Sequence, residues 1–179
     1  MTAWVALLRG VNVGGVTIRN ADLAALMTDD LGFADVRTVL ASGNVTFEAD
    51  AAPSARARLK KSIEAALRDR FGYDAWIVLV TRAEVEKVIE AFPFDATMQS
   101  RQPWVIFGSD EAALDELEDA AASFDEKADP ISRGHGVIYW NPMKGTTVDT
   151  PFGKLLSRKA YRSSTTNRNL RTLQKIVGE

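Results

Sequence analysis

Apolar positions along the chain alternate between short unbroken runs and longer stripes repeating every three or four residues. The run from Trp4 to Leu8, closed by Arg9, predicts a central strand with its apolar side chains covered. A helix is expected next, with Asn20 as N-cap, Leu23, Leu26, Met27 and Leu31 as its buried stripe, and Gly32 at its end. Val36 to Leu40 and Val45 to Glu48 predict two strands, with Gly43-Asn44 supplying the positive φ angles of a tight turn between them. Ala55, Leu59, Ile63, Leu67 and Phe71 recur every four residues and predict a long helix closed by Gly72. Residues 76–80, Trp-Ile-Val-Leu-Val, complete the order β-α-β-β-α-β.

The pattern then restarts. Thr81 caps a predicted helix carrying Val85, Val88, Ile89 and Phe92, which the Phe-Pro-Phe at 92–94 breaks. Residues 103–108 predict a strand, followed by an acidic helix capped by Ser109 or Asp110 and buried through Leu114, Leu117 and Phe124. Residues 131–140 predict a second hairpin, with Gly134 and Gly136 flanking its tip. A helix is expected over Phe152 to Ala160 and a last one through Leu170, Leu173 and Val177, with the polar segment 162–167 between them. The expectation is an α+β fold: two closely packed ferredoxin-like (split βαβ) subdomains, residues 1–81 and 82–179, related by duplication of fold rather than of sequence.

Composition adds mainly exclusions. The chain of 179 residues is 46% hydrophobic and 26% charged, the balance of an ordinary globular protein. It has no cysteine, which removes disulfides, thiolate metal sites and cysteine catalysis. A single histidine, His135, argues against a histidine-rich metal site, and between two glycines it reads as a turn residue. No metal or cofactor signature is present. The segment after Met1 lacks a basic region followed by a long apolar stretch, and no run reaches the ~18 apolar residues of a membrane span. The expectation is a cytoplasmic protein with no membrane partner.

The net charge of −2 conceals an asymmetry. Nine acids and one lysine lie between Asp110 and Asp129, whereas residues 150–178 hold seven basic residues and no acid. The plain reading is a pair of solvated helix faces attracting each other. The sharper one is a basic surface for phosphate or nucleic acid, although no aromatic residues alternate with these cations.

Candidate chemistry gathers near the first strand. Residues 7–15, Leu-Leu-Arg-Gly-Val-Asn-Val-Gly-Gly, are rich in glycine. Gly10, Gly14 and Gly15 do not form the dinucleotide or P-loop signature, and residues 16–19 intervene before the helix that would meet a phosphate. A glycine-rich turn can still present backbone N–H groups as an anion nest. If the first strand lies antiparallel to the third, Arg9, Gly10 and Asn12 meet Ser42, Gly43 and Asn44 at one end of the sheet. A guanidinium, two amides, a hydroxyl and backbone donors would then converge. Arg9 suits fork-shaped contacts to either a ligand or a structural carboxylate. Arg168 and Asn169, expected at the start of the last helix, would cap it or meet an anion there. Asp149 stands alone as a carboxylate candidate.

Three segments, LLRGVNVGG, LGFADVRTVLASGNVTF and TNRNLRTLQKI, together resemble the bacterial family of domain of unknown function 1697. The resemblance spans nearly the whole chain. It departs at Leu170, where the family commonly has a tryptophan, so no stacking role is expected there; Arg168 and Asn169 match. It implies a soluble bacterial protein of two ferredoxin-like halves and no particular activity. The reading favoured on the residues is a binding module for a small anionic ligand, with single-stranded nucleic acid as a weaker version because the first strand is aliphatic where RNA-binding sheets carry aromatics. The alternatives are an enzyme using Arg, Asn or Ser with a carboxylate, and a protein-interaction domain. Oligomeric state is not legible.

Overall fold

The computed structural model describes residues 1–10, 16–41, 43–72 and 74–178. Asn12, Gly14, Gly15 and Ser42 lie outside the described residues. The chain divides into two compact units, Met1–Glu86 with Gln174–Glu179, and Lys87–Leu173. Residues 174–179 thus group with the first unit rather than the second.

The first unit is an antiparallel sheet of order β2-β3-β1-β4, built from β1 (Thr2–Arg9), β2 (Ala34–Thr38), β3 (Asn44–Ala49) and β4 (Trp76–Thr81). Alternation along β1 sends Trp4, Ala6 and Leu8 into one core with Phe47 and Ile77. That core is closed by α1 (Asn20–Ala25), continued as a wider π-turn over Leu26–Asp30, and by α2 (Arg56–Phe71). The apolar stripes predicted the buried positions: Leu23, Leu26 and Met27 on the first helix, Leu59, Ile63 and Leu67 on the second. Gly72 ends α2 in the left-handed region at φ 69°, its N–H donating to the Arg68 carbonyl at 2.9 Å. Val5 and Leu7, on the other face of β1, are also fully buried, as an unbroken apolar run requires.

The β2–β3 connection differs from the expected tight turn. β2 ends at Thr38 and Asn44 is already the first residue of β3; between them Leu40 and Gly43 take positive φ (58° and 74°). Asn44 takes its place by hydrogen bonding rather than by turn geometry: its carbonyl accepts from the Val39 N–H and its Nδ2 donates to the Val39 carbonyl, both at 2.9 Å. Asn20 is also not a cap. It is the first helical residue, following Arg19, and its Nδ2 donates to the Leu40 carbonyl at 3.0 Å.

After β4, α3 (Arg82–Glu90) opens with a reciprocal capping box. The Thr81 Oγ1 accepts from the Glu84 N–H at 3.2 Å, and Glu84 Oε2 accepts from the Thr81 N–H at 2.7 Å. Both partners lie in the first unit.

The second unit repeats the sheet order as β6-β7-β5-β8. Its strands are β5 (Trp104–Gly108), β6 (Ile131–Arg133), β7 (Val137–Trp140) and β8 (Thr165–Asn169). The acidic α4 (Glu111–Ala121) is capped by Asp110, whose carboxylate accepts from the Ala113 N–H at 2.8 Å. The single helix expected near residue 155 is two: α5 (Pro151–Leu156) and α6 (Lys159–Arg162). The polar stretch before the last helix is the eighth strand. Arg168 and Asn169 therefore stand on β8, not on α7 (Leu170–Val177). Pairing with β5, in the register Val105 to Arg168 and Trp104 to Asn169, makes them strand residues.

Candidate functional site

Antiparallel pairing of β1 with β3 places Leu7 opposite Asn44, and pairing with β4 places Arg9 opposite Trp76. One step beyond Leu7, the Leu8 N–H donates to the Gly43 carbonyl at 2.8 Å. Arg9 and Gly10 therefore follow directly on a backbone anchor to the β2–β3 loop. By strand alternation Arg9, Leu7 and Val5 share the face opposite the helices.

Gly10 follows β1 at φ 80°, and among the described residues nothing lies within 4 Å of where a Cβ would stand. A backbone in that conformation favours glycine. Two buried or half-buried amides shape the facing loop: Asn44 holds Val39 and Asn20 holds Leu40. Asn44 is 1% exposed, so its side chain is a brace of the loop wall and not an open donor. Leu40, 45% exposed with positive φ, is held where a branched side chain is disfavoured. Strained exposed residues of this kind concentrate at ligand clamps.

The cations around this end are unequal. Arg19 is exposed and paired with Asp22 at 2.9 Å, and this hydrogen bond holds the Asp22 carboxyl below its usual range. Arg9 is half-buried at the strand end.

Arg168 is 7% exposed. It donates to Thr166 Oγ1 at 2.7 Å and to the Asn167 carbonyl at 2.9 Å. The Asn169 carboxamide oxygen accepts from the Arg171 N–H at 2.9 Å and so caps the start of α7. Both belong to the second unit and are engaged in building it. His135 is exposed at the β6–β7 tip and Asp149 is exposed in the loop before α5. Among the described residues no group of three or more His, Asp or Glu side chains converges as a metal site.

A cavity of about 380 Å³ lies at the opposite end of the first sheet, where β1 begins. Phe33, Ala34, Ala51 and Leu59 line it with Glu48, Asp50 and Arg58. Two carboxylates to one guanidinium make it a poor receptor for an anion.

Two groups escaped sequence reasoning. Asp129 is 2% exposed; its Oδ1 accepts from the Trp140 Nε1–H at 2.9 Å and its Oδ2 from the Phe152 N–H at 3.0 Å. In sequence it is one acid of an acidic run, and only the following Pro130 hints at a fixed backbone. Arg133 carries the second surprise. It pairs with Glu111 at 2.5 Å, Asp115 at 2.8 Å and Glu118 at 3.8 Å. Burial opposes its charge, but the hydrogen bonds it donates to Asp115 and Glu111 outweigh burial and raise its pKa. The acidic helix thus finds its counter-ion in β6.

Comparison with known proteins gives a family and a fold. The family model described as protein of unknown function (DUF1697) matches residues 1–139. Among solved structures, that of a conserved bacterial protein from Streptococcus pneumoniae has a TM-score of 0.81 at 24% identity, covering 98% of this chain and 97% of that chain. At that identity the likeness shows the fold alone. No curated protein matches the sequence.

Proposed function

We propose, from the premise that this chain belongs to the DUF1697 family of proteins of unknown function, that it is a binding module for a small anionic ligand at the Arg9 end of the first sheet. Arg9 and the backbone N–H groups of the glycine-rich segment supply the positive side, and Gly43 with the braced 39–41 loop supplies the wall. The sequence reading of the site also includes Asn12, Gly14, Gly15 and Ser42, which lie outside the described residues. Asn44 and Asn20 act by positioning the loop. Arg168 and Asn169 are assigned to construction of the second unit. The two units are two ferredoxin-like halves descended from a duplication, in keeping with their identical sheet orders, and the protein is a bacterial cytoplasmic one. No helix among the described residues is long and apolar enough to cross a membrane.

The observation that carries the reading is the Leu8–Gly43 backbone bond of 2.8 Å, which sets Arg9 and Gly10 beside the strained loop. The test is a thermal-shift screen of wild type and Arg9→Ala against nucleotides, sugar phosphates and small carboxylates. A ligand at a hundred times its dissociation constant stabilises by ~2.7 kcal/mol, roughly 5–10 °C for a chain of this size. The expected result is a shift with at least one anion class that Arg9→Ala abolishes while keeping a cooperative melt. No shift across the panel, or a shift that Arg9→Ala retains, overturns the reading.

A further inference from the structure

We propose that the exposed basic strip on α5 and α6 binds the phosphate backbone of duplex DNA. The strip runs through Lys154, Arg158 and Lys159 and is extended by Arg162, all exposed. Among the described residues none of the first three makes an ion pair, although Arg19, Arg56, Arg70, Arg82 and Arg133 each do. Lys154, Arg158 and Lys159 follow one another within six residues of the chain, all exposed. No carboxylate occurs between residues 150 and 178 to neutralise it. Within the same unit, the acidic helix α4 spends three of its carboxylates on Arg133.

What lies beneath the strip narrows the partner. Phe152, Leu155 and Leu156 are 0%, 3% and 7% exposed, so the apolar side of α5 is consumed in the core. Insertion into a lipid surface needs that apolar side free. Tyr161, the aromatic residue between the cations, packs against the same core. Without an exposed ring the strip lacks the stacking platform that single strands require. The serines beside the cations have spent their hydroxyl protons: Ser157 Oγ donates to the Lys154 carbonyl at 2.7 Å and Ser163 Oγ to the Ala160 carbonyl at 3.2 Å. Neither of these two serines has a hydroxyl proton left to donate to a ribose 2′-hydroxyl. Exposed cations, of which Lys154, Arg158 and Lys159 make no ion pair among the described residues, without free apolar or stacking groups beside them match a DNA duplex read by charge alone. The chain's overall net charge of −2 makes the contact local to the strip.

The test is fluorescence anisotropy of the full chain with a labelled mixed-sequence DNA duplex at 50–200 mM salt. Three phosphate contacts give a log–log salt slope near −2.7, or an affinity loss of about 40-fold across that range. The triple charge reversal Lys154→Glu, Arg158→Glu, Lys159→Glu should weaken binding more than tenfold at 50 mM salt. The milder triple change to Gln should flatten the salt slope, and it carries the test should the reversal not fold. Lys61→Glu, an exposed lysine on α2, should bind as wild type. The proposal is overturned by absence of duplex binding, by binding that neither triple variant weakens, or by preference for a single strand or RNA duplex. It is equally overturned if the chain sediments with phosphatidylglycerol vesicles and not with DNA.

Discussion

Removing the Asp129 carboxylate should destabilise the second unit more than any other single loss of an acid. The carboxylate sits at 2% exposure between two donors that are themselves buried, Trp140 at 2% and Phe152 at 0%. These rings also meet edge to face, with centroids 5.1 Å apart, so Asp129 ties β7 to the start of α5 at a packed aromatic pair. Asp129→Ala leaves the indole N–H and the Phe152 N–H without acceptors. Each orphaned donor costs about 1–3 kcal/mol. Relief of the carboxylate's own burial penalty offsets part of the sum, leaving a net loss of roughly 3 kcal/mol. At about 2–4 °C per kcal/mol for this chain length, the melting temperature should fall by roughly 6–12 °C. Asp129→Asn keeps one acceptor and sets an NH2 against the other donor, so it should fall between wild type and Ala. Calorimetry with urea melts provides the assay, and Trp140→Phe completes a double-mutant cycle whose coupling should exceed ~1 kcal/mol. The reasoning is refuted if Asp129→Ala stays within ~0.5 kcal/mol of wild type, as a solvated surface acid would.

Three more outcomes follow from single positions. Gly153→Ala, normally a gain inside a helix, should cost more than about 2 kcal/mol in a urea melt, because the new Cβ would stand 1.9 Å from the Thr147 carbonyl oxygen. Leu40→Gly should be neutral or raise the melting temperature, since relief of a positive φ worth ~1–2 kcal/mol outweighs the added freedom of the unfolded chain; a clear loss would show that the leucine side chain supports the loop. Burial of Glu84 disfavours its charge, but hydrogen bonds from Arg56 and Thr81 prevail and hold its pKa below the ordinary 4.5. Its contribution is therefore complete above that value and lost as the pH falls through the lower folded value, and Glu84→Gln should flatten the stability profile in that acid range. With both partners more than a third exposed, the effect is small.

Most of the first unit was legible because its signals are local. The stripe Leu59–Ile63–Leu67 and the left-handed stop at Gly72 are set by residues within a turn or two of each other. Capping by Asp110 and the Thr81–Glu84 box depends on spacings of three. The site was legible only in its backbone frame. Strand order follows from the β-α-β-β-α-β pattern, and it brings Arg9 toward the β2–β3 loop. The loop's shape does not follow, because Asn20 reaches Leu40 across 20 residues of sequence. Asparagine tolerates positive φ, which suggests a turn role for Asn44, whereas here Leu40 and Gly43 carry that conformation.

Sequence alone determined where the helices and apolar strands lie, the exclusion of cysteine chemistry, and the separation of acidic and basic segments, since each depends on residue type and short-range period. Tertiary structure alone decided that Thr165–Asn169 is a strand: nothing in Thr-Thr-Asn-Arg-Asn is apolar, and its ladder partner β5 lies some sixty residues away, with Val105 opposite Arg168. It alone distinguished Asp129 from the eight other acids of its run and gave the acidic helix Arg133 as counter-ion. Burial and charge pairing depend on what a long-range fold brings alongside a residue, and a linear period carries no record of that neighbour.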